Sequence, residues 1–288
     1  MKSQGVFRVK SPAKINPYLH IIEKNNDGYH DLCLSLVPVS LYDVLIFAEN
    51  KTPLVHLEVQ GADDLGPPGT NLVTRAAQAF FQATGLPSGV SIQLHKQIPH
   101  GAGLGGGSGN AACVLQVLNH QHGYPLSSQD LAALALTLGT DVPFFLEPKP
   151  SLGQGRGEQL SPLPHFPHWE LLIVKPAFSI STAQAYGWCK PRGRVQPCHA
   201  ANPTHNPALL ENDFEAALFP RYPQLAEIKA ALLAQGAQGA LLCGSGSAVF
   251  GVFAHATARD NAHQILAQHP DWCLWPCHTL STHSYGAT

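Results

Sequence analysis

An α+β fold in two domains is predicted by three features of the 288-residue sequence. Short β-prone runs crowd positions 6–59 and helical patterns follow them, so strands precede helices instead of alternating with them. A Gly/Pro-rich stretch, Pro148-Lys-Pro-Ser-Leu-Gly-Gln-Gly-Arg-Gly157 with Pro162, Pro164 and Pro167 after it, separates two patterned halves. At roughly 150 residues per domain the length itself corresponds to about two domains. The expected division is 1–160 and 161–288, with the boundary near 160.

The runs Val6–Val9, Tyr18–Ile22, Leu32–Pro38, Asp43–Ala48 and Val55–Val59 read as strands, broken by turn chemistry such as Asn25-Asn26-Asp27-Gly28. A helix follows, with Thr70 or Asn71 as N-cap, apolar positions Leu72, Val73, Ala76, Ala79 and Phe80, and Gly85 as its stop. Val90–Leu94 alternates as a strand and leads into a glycine run at 101–109. Helices are expected over Asn110–His120 and Ser128–Leu138, the second opened by Ser127 with Asp130 three positions on. In the second half the order is strand Trp169–Val174, short helix Thr182–Trp188, an irregular Pro/His-rich segment at 190–207 and helix 223–235. Strands Ala240–Cys243 and Ala248–Phe253 around Gly244-Ser-Gly-Ser247, helix 258–268 and strand Cys273–Cys277 complete it. That order suits a small antiparallel sheet with helices on one face.

Composition removes several function classes. Lys and Arg number 17 against 19 Asp and Glu, so no basic excess exists to attract a nucleic-acid backbone. The longest apolar runs, such as Leu131–Leu138, fall short of the ~20 residues a membrane span needs. Met1-Lys-Ser-Gln-Gly-Val-Phe-Arg8 carries no apolar signal core, and a cytoplasmic location is the expectation. The 7 cysteines are scattered without a Cys-x-x-Cys pair, which favours reduced thiols over a disulfide framework. Cys273, Cys277 and His278 have a metal-ligand look, but their setting, Trp272-Cys-Leu-Trp-Pro-Cys277, reads as a terminal core strand. No metal-ligating residue is assigned.

The glycine run demands a physical reason. Gly101, Gly103, Gly105, Gly106, Gly107 and Gly109 lie between a strand and a helix. Glycine weakens both elements, so its clustering implies positive φ or close approach of the backbone to something. The helix that follows offers unpaired N–H groups and the positive end of its dipole, with Ser108 available as a cap, which together suit a phosphate. A flexible turn is the plain alternative, though a turn needs two or three such residues. Gly101-x-Gly103-x-x-Gly106 formally matches a dinucleotide fingerprint, but it lies far into the chain and Asp130 falls on a helix. A P-loop requires Gly-Lys-Ser/Thr after its last glycine, and no lysine follows Gly107. The later elements of a protein kinase are also missing.

These residues carry a family resemblance. Pro99-His-Gly-Ala-Gly-Leu-Gly-Gly-Gly-Ser-Gly-Asn-Ala-Ala112 resembles the ATP-binding motif of the GHMP small-molecule kinases. Pro12-Ala-Lys-Ile-Asn16 resembles their first motif and Leu242-Cys-Gly-Ser-Gly-Ser-Ala-Val-Phe250 their third. Asp27-Gly-Tyr-His30 and Gly139-Thr-Asp-Val-Pro-Phe-Phe145 narrow the resemblance to the 4-diphosphocytidyl-2-C-methyl-D-erythritol kinase branch. The Pro-Gly-Lys start and Gly-Glu-His sequence of mevalonate kinases are absent. The likeness spans residues 10–253, with the motifs in order.

The resemblance implies a first domain like the second domain of ribosomal protein S5 and a ferredoxin-like second domain, with the active site between them. It implies ATP and Mg²⁺ as cofactors and a small-molecule substrate, CDP-methylerythritol, phosphorylated on its 2-hydroxyl on the non-mevalonate route to isoprenoid precursors. No nucleic acid, membrane or obligate protein partner is implied. Asp141 would take the hydroxyl proton while Lys14 orients the group and stabilises phosphoryl charge. The nucleotide would contact Pro99, His100, Gly101, Ala102, Gly103, Leu104, Gly105, Gly106, Gly107, Ser108 and Gly109, with Lys96 and Asn71 nearby. Tyr29 would stack on cytosine, His30 would read its polar edge and Asn16 would bond substrate hydroxyls. Tyr186 is the candidate second aromatic, with core packing its alternative reading.

The sequence also departs from the family. Lys24-Asn25-Asn26 stands where an arginine precedes Asp-Gly-Tyr-His, Gly109 where many members have a hydroxyl residue, and His100 where an apolar residue is common. The 190–207 segment lacks the expected Arg-(Asn/Asp)-Thr-Pro pattern. A GHMP-type kinase of another small alcohol such as homoserine, or a non-catalytic nucleotide-binding module, are the rival readings.

Overall fold

The computed structural model describes residues 7–26, 28–50, 52–61, 68–87, 89–193 and 206–283. The first part contains strands β1 (Phe7–Ile15), β2 (Tyr18–Lys24), β3 (His30–Glu49) and β4 (Val55–Gln60), helix α1 (Leu72–Thr84), strand β5 (Val90–His95), and helices α2 (Gly106–Gln121), α3 (Ser128–Leu138) and α4 (Val142–Leu146). The hairpin β6 (Ser151–Gln154) and β7 (Gln159–Pro162) follows, then β8 (Glu170–Pro176), α5 (Thr182–Trp188), β9 (Glu211–Asn212), α6 (Phe214–Leu218) and α7 (Pro223–Ala234). Strands β10 (Gly239–Leu242) and β11 (Val249–Phe253), helix α8 (Ala256–Leu266) and strand β12 (Trp272–His278) complete the order.

The two expected strands Leu32–Pro38 and Asp43–Ala48 are one 20-residue strand, β3. Proline lacks a ladder donor, but Pro38 sits opposite Lys14, where its carbonyl accepts the Leu280 N–H at 2.8 Å. A register shift at Pro12/Ala13 lets β1 follow it past that point. β3 pairs with β2 and β6 over residues 30–36, and with β1 and β5 over 37–49. One spine therefore carries an 8-stranded sheet. β4 and β5 run parallel, so they need the crossover that α1 supplies. The Gly/Pro-rich stretch expected as a linker holds the β6–β7 hairpin, because its prolines fall outside these four-residue strands or on their last position.

Helix α1 starts as the sequence predicts: Asn71 Oδ1 accepts the Val73 N–H at 3.0 Å, a cap contributing about 1 kcal/mol. Its buried residues Val73, Ala76, Ala77, Phe80 and Phe81 share one core with Leu45, Phe47, Ile92 and Leu94 of the sheet and with much of α2.

The second sheet has the order β10-β11-β8-β12, antiparallel throughout, within a β-α-β-β-α-β chain order. This is the ferredoxin-like arrangement. Strand alternation splits β8 between two cores. Leu172 and Val174 join Ile228 and Leu232 of α7 and Leu266 of α8, while Leu171 and Ile173 join Ala13, Ile15, Val37 and Val39 of β1 and β3. Helices thus cover one face, as expected, and the large sheet covers the other. Strand β9, unanticipated from the sequence, crosses back and pairs parallel to β2.

Of the irregular 190–207 segment, residues 194–205 lie outside the described residues. Arg192 and Gly193 donate their N–H groups to Ile21 and Ile22 carbonyls, each at 3.0 Å. Cys33 is disulfide-bonded, which corrects the expectation of reduced thiols throughout. The 273–278 run is strand β12, where His278 faces Ser40, with Nδ1 and the serine Oγ 3.1 Å apart. No helix among the described residues is long and apolar enough to cross a membrane.

Candidate active site

The glycine run is part turn and part helix. α2 begins at Gly106, four residues before the expected Asn110, so the turn is 101–105 and Ser108 lies inside the first helical turn. Its N-cap is Gly105, which corrects the assignment of Ser108 as a cap. Glycine costs about 1 kcal/mol in a helix, which hides this start from a propensity reading. Packing decides it instead. A Cβ on Gly109 would stand 2.8 Å from Ser11 Oγ and 3.0 Å from the Pro12 carbonyl oxygen, so α2 lies directly on β1.

The turn also interlocks with the third motif. Gly103 has φ 75° and a Cβ there would stand 1.8 Å from the Cys243 carbonyl oxygen, so no other residue fits. Ser247 and Ala248 donate their N–H groups to the Gly101 and Ala102 carbonyls at 3.2 and 3.3 Å. Residues 101–105 and 244–247 therefore pack back to back. Asn212, just before α6, holds the second turn by donating Nδ2 to the Leu242 and Gly244 carbonyls at 2.9 and 2.8 Å.

In front of the glycine turn opens a cleft of about 550 Å³. Pro99, His100 and the run Gly101–Ser108 form one wall, with the unpaired N–H groups of the first turn of α2 at its rim. Gly109 does not border the cleft; it faces Ser11 and Pro12, so the family's hydroxyl at this position has no counterpart there. Asn71 and Lys96 also border the cleft. Both have prior partners: the Asn71 side-chain Oδ1 caps α1, and the Lys96 ammonium donates to Asp43 Oδ2.

Lys14 reaches the cleft from β1. Its backbone N–H donates to the Leu104 carbonyl at 2.9 Å, fixing the strand against the glycine turn. Its ammonium donates to Asn16 Oδ1 at 2.6 Å and stands 3.7 Å from Asp141 Oδ2. Asn16 is itself oriented by donating Nδ2 to the Ser35 carbonyl at 2.8 Å. Asp141 immediately precedes α4, and Val142, Phe144 and Phe145 bury that helix. Its carboxylate caps nothing and remains 34% exposed, which leaves it open to a substrate instead of buried as the flanking apolar residues suggest. The 3.7 Å gap is wider than a hydrogen bond and leaves the carboxylate available as an acceptor.

Tyr186 borders the cleft and Thr182, at the start of α5, joins Ser245 through a 3.0 Å hydroxyl contact. The Tyr186 ring stacks on His30 at 4.9 Å and meets Phe214 edge-on at 4.9 Å. Burial first, and Asp141 second, push its phenol pKa up, so the hydroxyl stays protonated. Burial first, and Lys24 second, hold the His30 imidazole below its ordinary value, so the ring is neutral at pH 7. Tyr29, on the β2–β3 turn, is 53% exposed, and the Arg156 guanidinium carbon lies 3.9 Å from its ring centroid. Arg156 borders the cleft, so Tyr29 and His30 extend it at one end through Arg156 and Tyr186.

The structure thus gathers Lys14, Asn16, Asp141, the glycine turn and Tyr186 around one cleft, with Tyr29 and His30 adjoining it. The sequence reading missed Asp43, Arg156, Asn212 and Thr182. Asp43 left a signal, a lone carboxylate in the apolar run Tyr42-Asp-Val-Leu-Ile-Phe47. Arg156 left none, because nothing in Gln154-Gly-Arg-Gly157 points at Tyr29.

Among the described residues no three His, Cys, Asp or Glu side chains converge to cage a metal. Mg²⁺ in phosphoryl transfer needs only one or two protein oxygens beside phosphate and water. Ser108 borders the cleft, so its hydroxyl fits an ion that arrives with a nucleotide.

A helix start whose N–H groups face the cleft, two interlocked glycine turns and an ammonium–carboxylate pair have the arrangement of a small-molecule phosphotransferase. Profiles described as GHMP kinases N terminal domain and GHMP kinases C terminal match residues 71–147 and 202–271. The chain is 38% identical to a 4-diphosphocytidyl-2-C-methyl-D-erythritol kinase of Geobacter metallireducens, covering 92% of this chain and 95% of the relative. It is 41% identical to the kinase of the same name from Chlorobium luteolum, over 90% and 92% of the two chains. A crystal structure of 4-(cytidine 5'-diphospho)-2C-methyl-D-erythritol kinase superposes with TM-score 0.81 at 34% identity, covering 94% of this chain and 98% of that one. Homoserine kinase from Cytophaga hutchinsonii shares the fold, with TM-score 0.72 at 17% identity over 98% and 96% of the chains. The chain belongs to the 4-diphosphocytidyl-2-C-methyl-D-erythritol kinase family of the GHMP kinases.

Proposed function

We propose that this chain transfers the γ-phosphoryl group of ATP to the 2-hydroxyl of 4-diphosphocytidyl-2-C-methyl-D-erythritol. The observation that carries this reading is the Lys14–Asp141 pair at 3.7 Å, facing the cleft in front of the glycine turn. The substrate hydroxyl oxygen bonds to the γ-phosphorus, the bond from that phosphorus to the bridging oxygen breaks, and ADP leaves. Asp141 accepts the hydroxyl proton. Lys14, oriented by Asn16, aligns the hydroxyl and neutralises charge on the transferring group, while the N–H groups at the start of α2 receive the phosphates. Ser108 is the side-chain hydroxyl that would hold a Mg²⁺ arriving with the nucleotide, and such an ion would supply further charge neutralisation. Tyr29, His30 and Tyr186 form the cytidine end. A neutral imidazole both donates and accepts, which suits it to read the edge of a base.

The test is a coupled ADP-release assay with ATP, Mg²⁺ and the CDP-alcohol, with ³¹P NMR of the product. A new phosphomonoester formed in step with ADP supports the reading. ADP release without it, or faster turnover of homoserine, opposes it.

A further inference from the structure

Asp43 has no exposed surface, yet its carboxylate meets four donors. Oδ1 accepts the Gln97 and Ile98 N–H groups at 2.8 and 2.9 Å. Oδ2 accepts Asn110 Nδ2 at 2.8 Å and the Lys96 ammonium. The donors come from both sides of the glycine turn: residues 96–98 lead into it, and Asn110 lies one helical turn into α2, which leaves it. A charge-assisted bond is roughly twice as strong as a neutral one, so one side chain ties entry to exit.

The same contact sets the charge beside the cleft. The Lys96 ammonium lies 3.3 Å from where a Gly106 Cβ would stand, next to the positive end of α2. A lysine there is repelled by the helix and must be held by an anion. Asp43 is that anion, and it approaches from the core side, so the cleft side of the rim stays free for a phosphate.

We propose that Asp43 is a positioning residue for the nucleotide, setting the spacing between the two ends of the glycine turn and the location of the Lys96 ammonium. This rests on the reading of the cleft as an ATP site. A purely structural carboxylate would lower stability and weaken both substrates alike; a positioning carboxylate weakens the nucleotide selectively.

The experiment measures binding of a non-hydrolysable ATP analogue and of CDP, by titration calorimetry, to the wild-type chain and to Asp43→Asn and Asp43→Glu. Both variants are expected to bind the ATP analogue at least 10-fold more weakly and CDP within twofold of wild type, with the KM for ATP rising in parallel. Asp43→Glu keeps the buried charge and carries the test if Asp43→Asn fails to fold. ATP-analogue affinity within twofold of wild type in a folded variant, or equal losses for both ligands, overturns the proposal. A wild-type chain that binds no ATP analogue overturns the ATP reading itself, a separate result.

Discussion

The Lys14 ammonium bonds Asn16 Oδ1 at 2.6 Å while the Asp141 carboxylate, which borders the same cleft, stands 3.7 Å from that ammonium. Lys14 is therefore oriented by a neutral amide, and Asp141 is attracted without being consumed. A tight Lys14–Asp141 hydrogen bond would stabilise the carboxylate charge and lower its basicity toward a substrate hydroxyl. The arrangement favours a carboxylate that accepts a proton over one that merely pairs a cation.

Asp141→Asn removes that acceptor while keeping size and shape. Turnover is expected to fall by roughly 10²–10⁴-fold, with affinity for an ATP analogue nearly unchanged. Steady-state kinetics with parallel titration calorimetry checks both halves of the statement.

Gly103→Ala drives a Cβ into the Cys243 carbonyl, 1.8 Å away, at a φ of 75° that disfavours any side chain. The neighbouring atom is backbone and cannot swing aside. We expect a loss of about 2–4 kcal/mol from overpacking and backbone strain together, read by denaturant unfolding.

Asn212→Leu strips the two donors that hold the Leu242 and Gly244 carbonyls. These acceptors are left unpaired in the core, which costs about 1–3 kcal/mol each. Because Gly244 borders the cleft, the KM for ATP should rise as well. A stability loss with unchanged kinetics would separate the third motif from nucleotide binding.

On the proposed reading, His30 gives the cytidine end its pH dependence. Its folded value lies below the ordinary 6.5, so the neutral ring dominates above that pH and half-protonation is reached only below it. CDP affinity should level off as pH rises above the lowered value and decline as pH falls through it. The same sign holds for folding: this group's contribution is present above 6.5 and is lost on acidification. Tyr29→Ala should weaken CDP by about 1–3 kcal/mol and leave ATP-analogue binding intact.

Much of this was legible in the sequence where local chemistry decides the structure. Thr182–Trp188 and Ser128–Leu138 are helices at the expected positions, the latter because Ser127 caps it through the Asp130 N–H at 3.1 Å. The motif residues Lys14, Asp141 and Gly101–Ser108 were assigned from the string and border one cleft. The failures share a cause, which is tertiary contact overriding local preference. The start of α2 was hidden because glycine is a poor helix former, yet Ile98, Ser11 and Pro12 leave no room for side chains at Gly106 and Gly109. β9 is two residues long and exists only because β2 offers it an edge. Asp43 looked like a strand position, since its four donors lie more than fifty residues away in sequence.

The most direct test of the central claim is single-turnover transfer from γ-labelled ATP to the CDP-alcohol, comparing the wild-type chain with Lys14→Met. The account predicts label on the alcohol with the wild type, and for Lys14→Met a transfer rate lower by at least about 100-fold with the ATP analogue still bound. Transfer at the wild-type rate without the Lys14 ammonium would contradict it.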